Sequence, residues 1–356
     1  MKALEWRLWK NRSVDVETKV IAWKTIIRPA LEYGSEVWWP QDKQLCLFER
    51  IQLKVCKWIL ACAVTTTTEI VLGDLGVPTM NSRFCRVRIA FAGTVCCMSK
   101  ERIAKACGEV KSNGTRMVNT TPNKVELREV YEELESSESE EERSERVALW
   151  KGEVRRAVLA REEEDWKKEL SRKPKAGVYM YVKESPGFEP YLKSYEFLHG
   201  GALRFKIRSG MIYLNEEVGR RSKKFSDRFC ELCDQEEVVE NSEHFLILCP
   251  TLADVRGQFG RDLEVVCRKY GIRSVTNVWR TGDLPARFGI VIGDCLEMIK
   301  GEVDRSLNPG DVAREIRLSS HRFVLSLWSA RKKYLYPDQA ANAASGANDP
   351  LRGSAS

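Results

Sequence analysis

A chain of 356 residues with 43% apolar and 31% charged residues has room for two or three packed domains and excludes a wholly disordered protein. Its formal charge is only +7, but ten glutamates and three arginines fall between Val125 and Val147, so the remainder is more basic than the total implies. Twelve scattered cysteines form no disulfide framework, and there is no signal-like segment and no apolar run near 18 residues, which points to a reducing, intracellular setting (nucleus and/or cytoplasm) without a membrane partner.

Met1-Lys2-Ala3-Leu4-Glu5-Trp6 reads as the middle of a helix, as in a fragment of a longer protein. From Ser13 to Tyr33, Val16, Val20, Trp23 and Ile27 share one helical face, and Pro29 should kink or end the run. After Gly34-Ser35 and the Val37-Trp38-Trp39 cluster, a second helix spans about 41–62, with Leu45, Phe48, Val55 and Ile59 inward. Thr66-x-x-Glu69 has the form of a capping box opening a short helix, and Gly73 to Pro78 reads as a turn. A third helix, about 81–107, carries the stripe Phe84, Val87, Phe91, Val95 and Met98. Residues 1–110 are therefore expected to form one all-helical domain.

Residues 111–146 read as a polar and acidic linker, disordered in part because Ser-Glu repeats offer no apolar face. Helix resumes near Val147 with Trp150, Val154, Val158, Trp166 and Leu170 in register, and Pro and Gly punctuate the rest of 147–190. Leu203, Phe205 and Ile207 alternate locally as in a strand. Further on, Cys230-x2-Cys233-x10-His244-x4-Cys249 has the order and spacing of a closed Cys3His zinc site. Its tight knuckle is followed by one helical turn from His244 to Cys249 that Pro250 stops. Four protein ligands leave no position for a catalytic water, so the ion expected there is a structural Zn2+. A helix over about 252–270 follows within a module at 191–275. A C-terminal helical segment occupies 276–336, its last helix at 309–335 striped by Val312, Ile316, Phe323 and Leu327. Residues 337–356, rich in Ala, Asn, Gly and Ser, read as a disordered tail.

Two segments together resemble the C-terminal part of LINE-type (non-LTR) retrotransposon reverse transcriptases. One runs from Thr25 through Arg28-Pro29 to Trp38, continues in Leu47 to Lys54, and ends in Val71-Leu72-Gly73-Asp74-Leu75-Gly76-Val77. It is similar to that family's helical thumb. The other, Leu203 to Gly210 with Cys230, Cys233 and Glu243 to Pro250, is similar to its Cys-Cys-His-Cys module. The resemblance implies a mainly α architecture: a thumb-like bundle, a charged linker, a small zinc-stabilised module and a C-terminal helix. It also implies a helix ending at Gly210 rather than a strand. It implies RNA and/or DNA as partners, held for target-primed reverse transcription, and a palm-containing polypeptide as a further partner. The departure is as informative. The sequence has no Asp-Asp pair to hold two Mg2+ ions and begins downstream of where the palm's catalytic turn would lie, so no catalytic residue and no Mg2+ site are expected in it. The alternatives are a chain that completes an active polymerase with a separate palm, or a decayed or host-retained interaction module.

A Cys3His site carries net negative charge, and Asp234, Glu236, Glu237, Glu240 and Glu243 add to it. Nucleic-acid contacts are therefore expected on the upstream arm: Arg204, Lys206, Arg208, Arg220, Arg221, Lys223, Lys224 and Arg228. Phe205, Tyr213 and Phe225 lie between them as candidate stacking platforms. In the thumb-like part, Lys54 and Lys57, with Lys19, Lys24, Arg28 and Arg50, are candidates for backbone contacts, while the tryptophans read as core.

Overall fold

The computed structural model describes residues 4–36, 38, 40–98, 140–193, 200–222, 224–233 and 235–336. Expectations for 111–139, for the tail at 337–356 and for Trp39, Lys223 and Asp234 lie outside those residues. The described chain is mainly α. Its one piece of β pairing among the described residues is an isolated bridge, Phe229 to Val239. No helix among the described residues is long and apolar enough to cross a membrane.

The chain divides into two compact units, Met1–Arg172 with Ser185–Glu189, and Lys173–Glu184 with Pro190–Ser356. These are not the six segments expected from composition, and the reason lies in two packing arrangements. The helix after the acidic linker belongs to the first unit, because its tryptophans anchor there. The metal-binding module and the C-terminal segment share one core and are a single unit.

In the first unit, α1 (Val16–Ala22) continues through a π-helical turn, Trp23–Ile27, into α2 (Arg28–Glu32). Pro29 does not break the run. A proline removes its own N–H bond and crowds the carbonyl four residues back, and the i→i+5 turn, with the Arg28 N–H donating to the Trp23 carbonyl, shifts the ladder just before it. Helix α3 (Asp42–Ile59) opens with a reciprocal Gln41/Gln44 capping box. The box expected at Thr66 and Glu69 is absent: α4 (Thr68–Leu75) starts one residue later, with Thr67 as N-cap and no side-chain cap. Gly76 ends α4 at φ +56, and Gly187 and Phe188 press so close that a Cβ would lie 2.5 Å from the Phe188 nitrogen. Trp23 is fully buried and donates to Gln52 (3.3 Å), which in turn donates to the Pro78 carbonyl (2.9 Å). Trp38 packs against Phe48 and Phe84 but stays 38% exposed.

Helix α5 (Met80–Cys96) packs along α6 (Glu140–Ser171). Trp150 is fully buried, donates to the Ile89 carbonyl (3.0 Å) and packs against Gly93, where a Cβ would come within 2.2 Å of its indole nitrogen. Trp166 donates to the Glu69 carbonyl at 2.7 Å. The expected α5 stripe is only partly core: Phe84 is buried, whereas Val87, Phe91 and Val95 are half-buried.

In the second unit, α7 (Ala202–Arg208) is a helix, not a strand, and its chain turns at Gly210 with φ +63. Helices α8 (Ala253–Tyr270), α9 (Ser274–Thr281), α10 (Leu284–Ile292) and α11 (Pro309–Leu335) follow. All four residues of the expected α11 stripe are buried, in one cluster with Phe245, Leu263 and Phe288.

Candidate metal centre

Cys230 and Cys233 stand on a hairpin-like knuckle. The Cys230 N–H donates to the Val238 carbonyl (2.8 Å) and the Glu240 N–H to the Arg228 carbonyl (2.8 Å), which pins both arms of the loop. Glu237, at φ +58, supplies the left-handed residue that reverses the chain. The other two candidate ligands come from a single π-helical turn, His244–Leu248, in which the Cys249 N–H donates back to the His244 carbonyl (2.7 Å). Five residues on an α-helix would leave the two side chains about 140° apart around the axis. The i→i+5 turn removes most of that angle, so the x4 spacing becomes a matched pair of donors. Asn241 fixes the start of this turn by accepting the His244 N–H on its side-chain oxygen (2.8 Å).

The donor atoms of Cys230, Cys233, His244 and Cys249 all lie within 4.8 Å of one another, with Cys233 Sγ 3.4 Å from His244 Nε2. Zn–S bonds of about 2.3 Å imply tetrahedral edges of about 3.8 Å, so closure asks for small side-chain shifts only. Cys230, His244 and Cys249 are buried and Cys233 is partly exposed. The electrostatics of the unligated cluster also suit a cation. A shared hydrogen bond holds the Cys249 thiol below its usual range and, together with burial, pushes the Cys230 thiol up. Burial raises Cys233 and lowers His244, keeping the imidazole neutral. A divalent ion displaces thiol protons and binds a neutral imidazole. This buried cluster can bind a metal ion.

The cluster is tied to the core. Phe245, Leu246 and Ile247, between the ligands, are buried, and Phe245 meets Trp328 of α11 edge to face at 6.2 Å. Glu240 was expected to contribute to an anionic loop surface. It is instead buried and chelated by Arg331 of α11 (2.7 and 2.6 Å), with the Asn215 N–H on the same carboxylate (2.8 Å). No sequence signal could have paired residues 91 apart.

The expected nucleic-acid arm is largely taken up elsewhere. Arg204 and Arg208 are 1% and 0% exposed. Arg204 donates to the carbonyls of Ile292 and Gly293, and Arg208 to that of Ile292 (2.6 Å), while both guanidiniums lie over the Tyr191 ring. The last carbonyls of α10 have no partners within their own helix, and two arginines supply them. Neither can reach a phosphate backbone, and Phe205, fully buried, cannot stack on a base. Lys206 is half-buried. Arg220 is exposed but paired with Glu216 (3.1 Å) and Glu217 (3.5 Å). Arg221 ends a 3-10 turn, Gly219–Arg221. Lys224, Tyr213 and Phe225 are exposed, and Arg228 lies over the Phe225 ring at 5.2 Å.

In the first unit, Lys57 donates to the Val64 carbonyl and Lys24 to that of Gly76 (3.1 Å). Lys19 is buried. Lys54 and Arg50 are exposed, Lys54 lying 5.0 Å over the Trp58 ring. No protein-family model matches this sequence, and no curated protein or solved structure matches it either.

Proposed function

We propose that this chain is the nucleic-acid-holding, non-catalytic C-terminal part of a LINE-type reverse transcriptase, with Zn2+ as the structural ion of its Cys3His cluster. The observation that carries the reading is the convergence of Cys230, Cys233, His244 and Cys249 on one buried point, in a chain that also holds the thumb-like Thr25 to Trp38 segment. Three sulfurs and one imidazole favour Zn2+ over oxygen-seeking Mg2+ or Ca2+, and a full protein shell favours a structural over a hydrolytic role. The ion would cross-link the knuckle to the π turn and so to the core beneath it.

A palm partner is supported by the exposed apolar side chains of the thumb-like helix, Ile21 (53%) and Ile26 (63%), and of Tyr33 (86%) in the turn that follows it. Exposed apolar side chains so close in the chain suit a covered surface better than a solvent face. The test is RNA-templated primer extension by the chain alone, by a palm-containing reverse transcriptase fragment alone, and by the two mixed. The reading expects extension by the mixture only, and loss of stimulation with Ile26→Asp. Activity of the palm fragment unaffected by the added chain would count against it.

A further inference from the structure

The half-buried α5 stripe does not face solvent uniformly. Val87, Ala90, Phe91 and Thr94 form the floor of an open groove of about 630 Å3 along the α5–α6 pair, closed on its other side by α6. Its rims carry three cations: Arg86 on α5, and Lys151 and Arg155 one helical turn apart on α6. None of the three has an ion-pair partner or side-chain hydrogen bond among the described residues. Glu36 is the groove's one lining carboxylate. The neighbourhood is cationic as well. Arg83 and Arg28 share the carboxylate of Glu32, and burial with the nearby guanidiniums of Arg83 and Arg155 lowers the Arg86 pKa. Between Lys151 and Arg155 the floor is deepened by Gly152, where an added Cβ would meet nothing within 4 Å. Glycine is the poorest ordinary helix former, and no packing contact here requires it.

The geometry points to this groove as a binding site for single-stranded nucleic acid, with phosphates on Arg86, Lys151 and Arg155 and a base against Phe91. Lys151 and Arg155 are about 6 Å apart along the helix axis, a spacing comparable with the step between successive phosphates of an extended strand. An apolar floor with one aromatic ring accepts an unstacked base, which a duplex does not offer. The site stands on the groove's own residues and sharpens the nucleic-acid part of the reading above. It lies in the first unit, whereas the basic arm expected to bind nucleic acid belongs to the second.

The experiment uses the full chain with a fluorescent oligouridylate across a salt series, a matched duplex, and polyglutamate as competitor. Replacing Arg86, Lys151 and Arg155 together by Gln is expected to weaken binding about tenfold or more and to reduce the log–log salt slope by about 2, at about 0.7 per phosphate contact for a single strand. Gly152→Leu fills the groove without changing charge. It should weaken binding without lowering the melting temperature, because leucine is the better helix former. Lys333→Gln in the second unit should leave affinity unchanged. Wild-type binding that ignores both groove variants overturns the site alone, as does equal affinity for duplex, and displacement by polyglutamate at equal charge would make it an acidic-peptide groove instead. No binding by the wild type overturns this site and the nucleic-acid part of the proposed function together. Groove-dependent binding without palm stimulation overturns only the reverse-transcriptase reading.

Discussion

Arginines of the two units meet opposite fates. In the second unit, Arg204 and Arg208 are sunk against Tyr191 and spend their N–H groups on the buried C-terminal end of α10. In the first, Arg86 and Arg155 flank an open groove and form no salt bridge among the described residues. All four sit on amphipathic helices. What separates them is the element opposite: a helix C-terminus with unpaired carbonyls draws in a guanidinium, whereas two helices packed side by side satisfy their own backbones and leave cations at the rim. A basic helix is therefore a candidate nucleic-acid contact only if no helix end competes for it.

The sharpest way to stress the second unit is to unpair its buried charge. Arg331→Met leaves the Glu240 carboxylate, 1% exposed, with only its backbone N–H partner. Breaking such a pair costs about 3–5 kcal/mol, and denaturant unfolding should register it as loss of the second unit's transition. Next in size, Arg208→Ala removes the shorter of the two charged hydrogen bonds to the buried Ile292 carbonyl, which keeps only Arg204 Nε, at about 1.5–3 kcal/mol for a hydrogen bond to a charged group. Arg155→Ala in the first unit should change stability by less than about 0.5 kcal/mol while reducing oligonucleotide affinity. Equal stability losses for Arg208→Ala and Arg155→Ala would erase the distinction drawn between the two regions.

The smallest effect is a pH dependence. The Glu302 carboxylate accepts the backbone N–H groups of Arg273 (2.5 Å) and Ser274 (3.2 Å) at the start of α9, and these bonds hold its pKa below the ordinary value. A depressed carboxylate contributes stability that is present above its unfolded pKa and is lost as pH falls through the folded one. Melting temperature measured from neutral to acidic pH should therefore fall less steeply in Glu302→Gln than in the wild type. Parallel curves would remove Glu302 from the account.

Much of this was legible in sequence where the information is local. Helix α11 and its buried stripe follow from 3.6-residue spacing between Pro309 and Leu335, and the four metal ligands follow from spacing and residue type. Long-range pairing was not legible. Arg204 finds a helix end 88 residues away, and Glu240 finds Arg331 across 91. The unit boundaries failed for the same reason, since Trp150 and Trp166 carry the helix that follows the acidic stretch back onto α5 and α4. The π turns at Trp23–Ile27 and His244–Leu248 were read as ordinary helix, because period analysis does not separate i→i+4 from i→i+5 bonding over five residues.

The metal cluster bears most of the interpretation, and cobalt substitution tests it directly. The chain purified in zinc should carry one ion. Titration of the stripped protein with Co2+ should saturate at one equivalent, with the intense visible and thiolate charge-transfer bands of a tetrahedral thiolate-rich site, and Cys249→Ser should weaken those bands. One equivalent of Zn2+ should abolish them. A chain that binds no metal stoichiometrically, or whose cobalt spectrum is the faint one of octahedral oxygen ligands, would contradict the account.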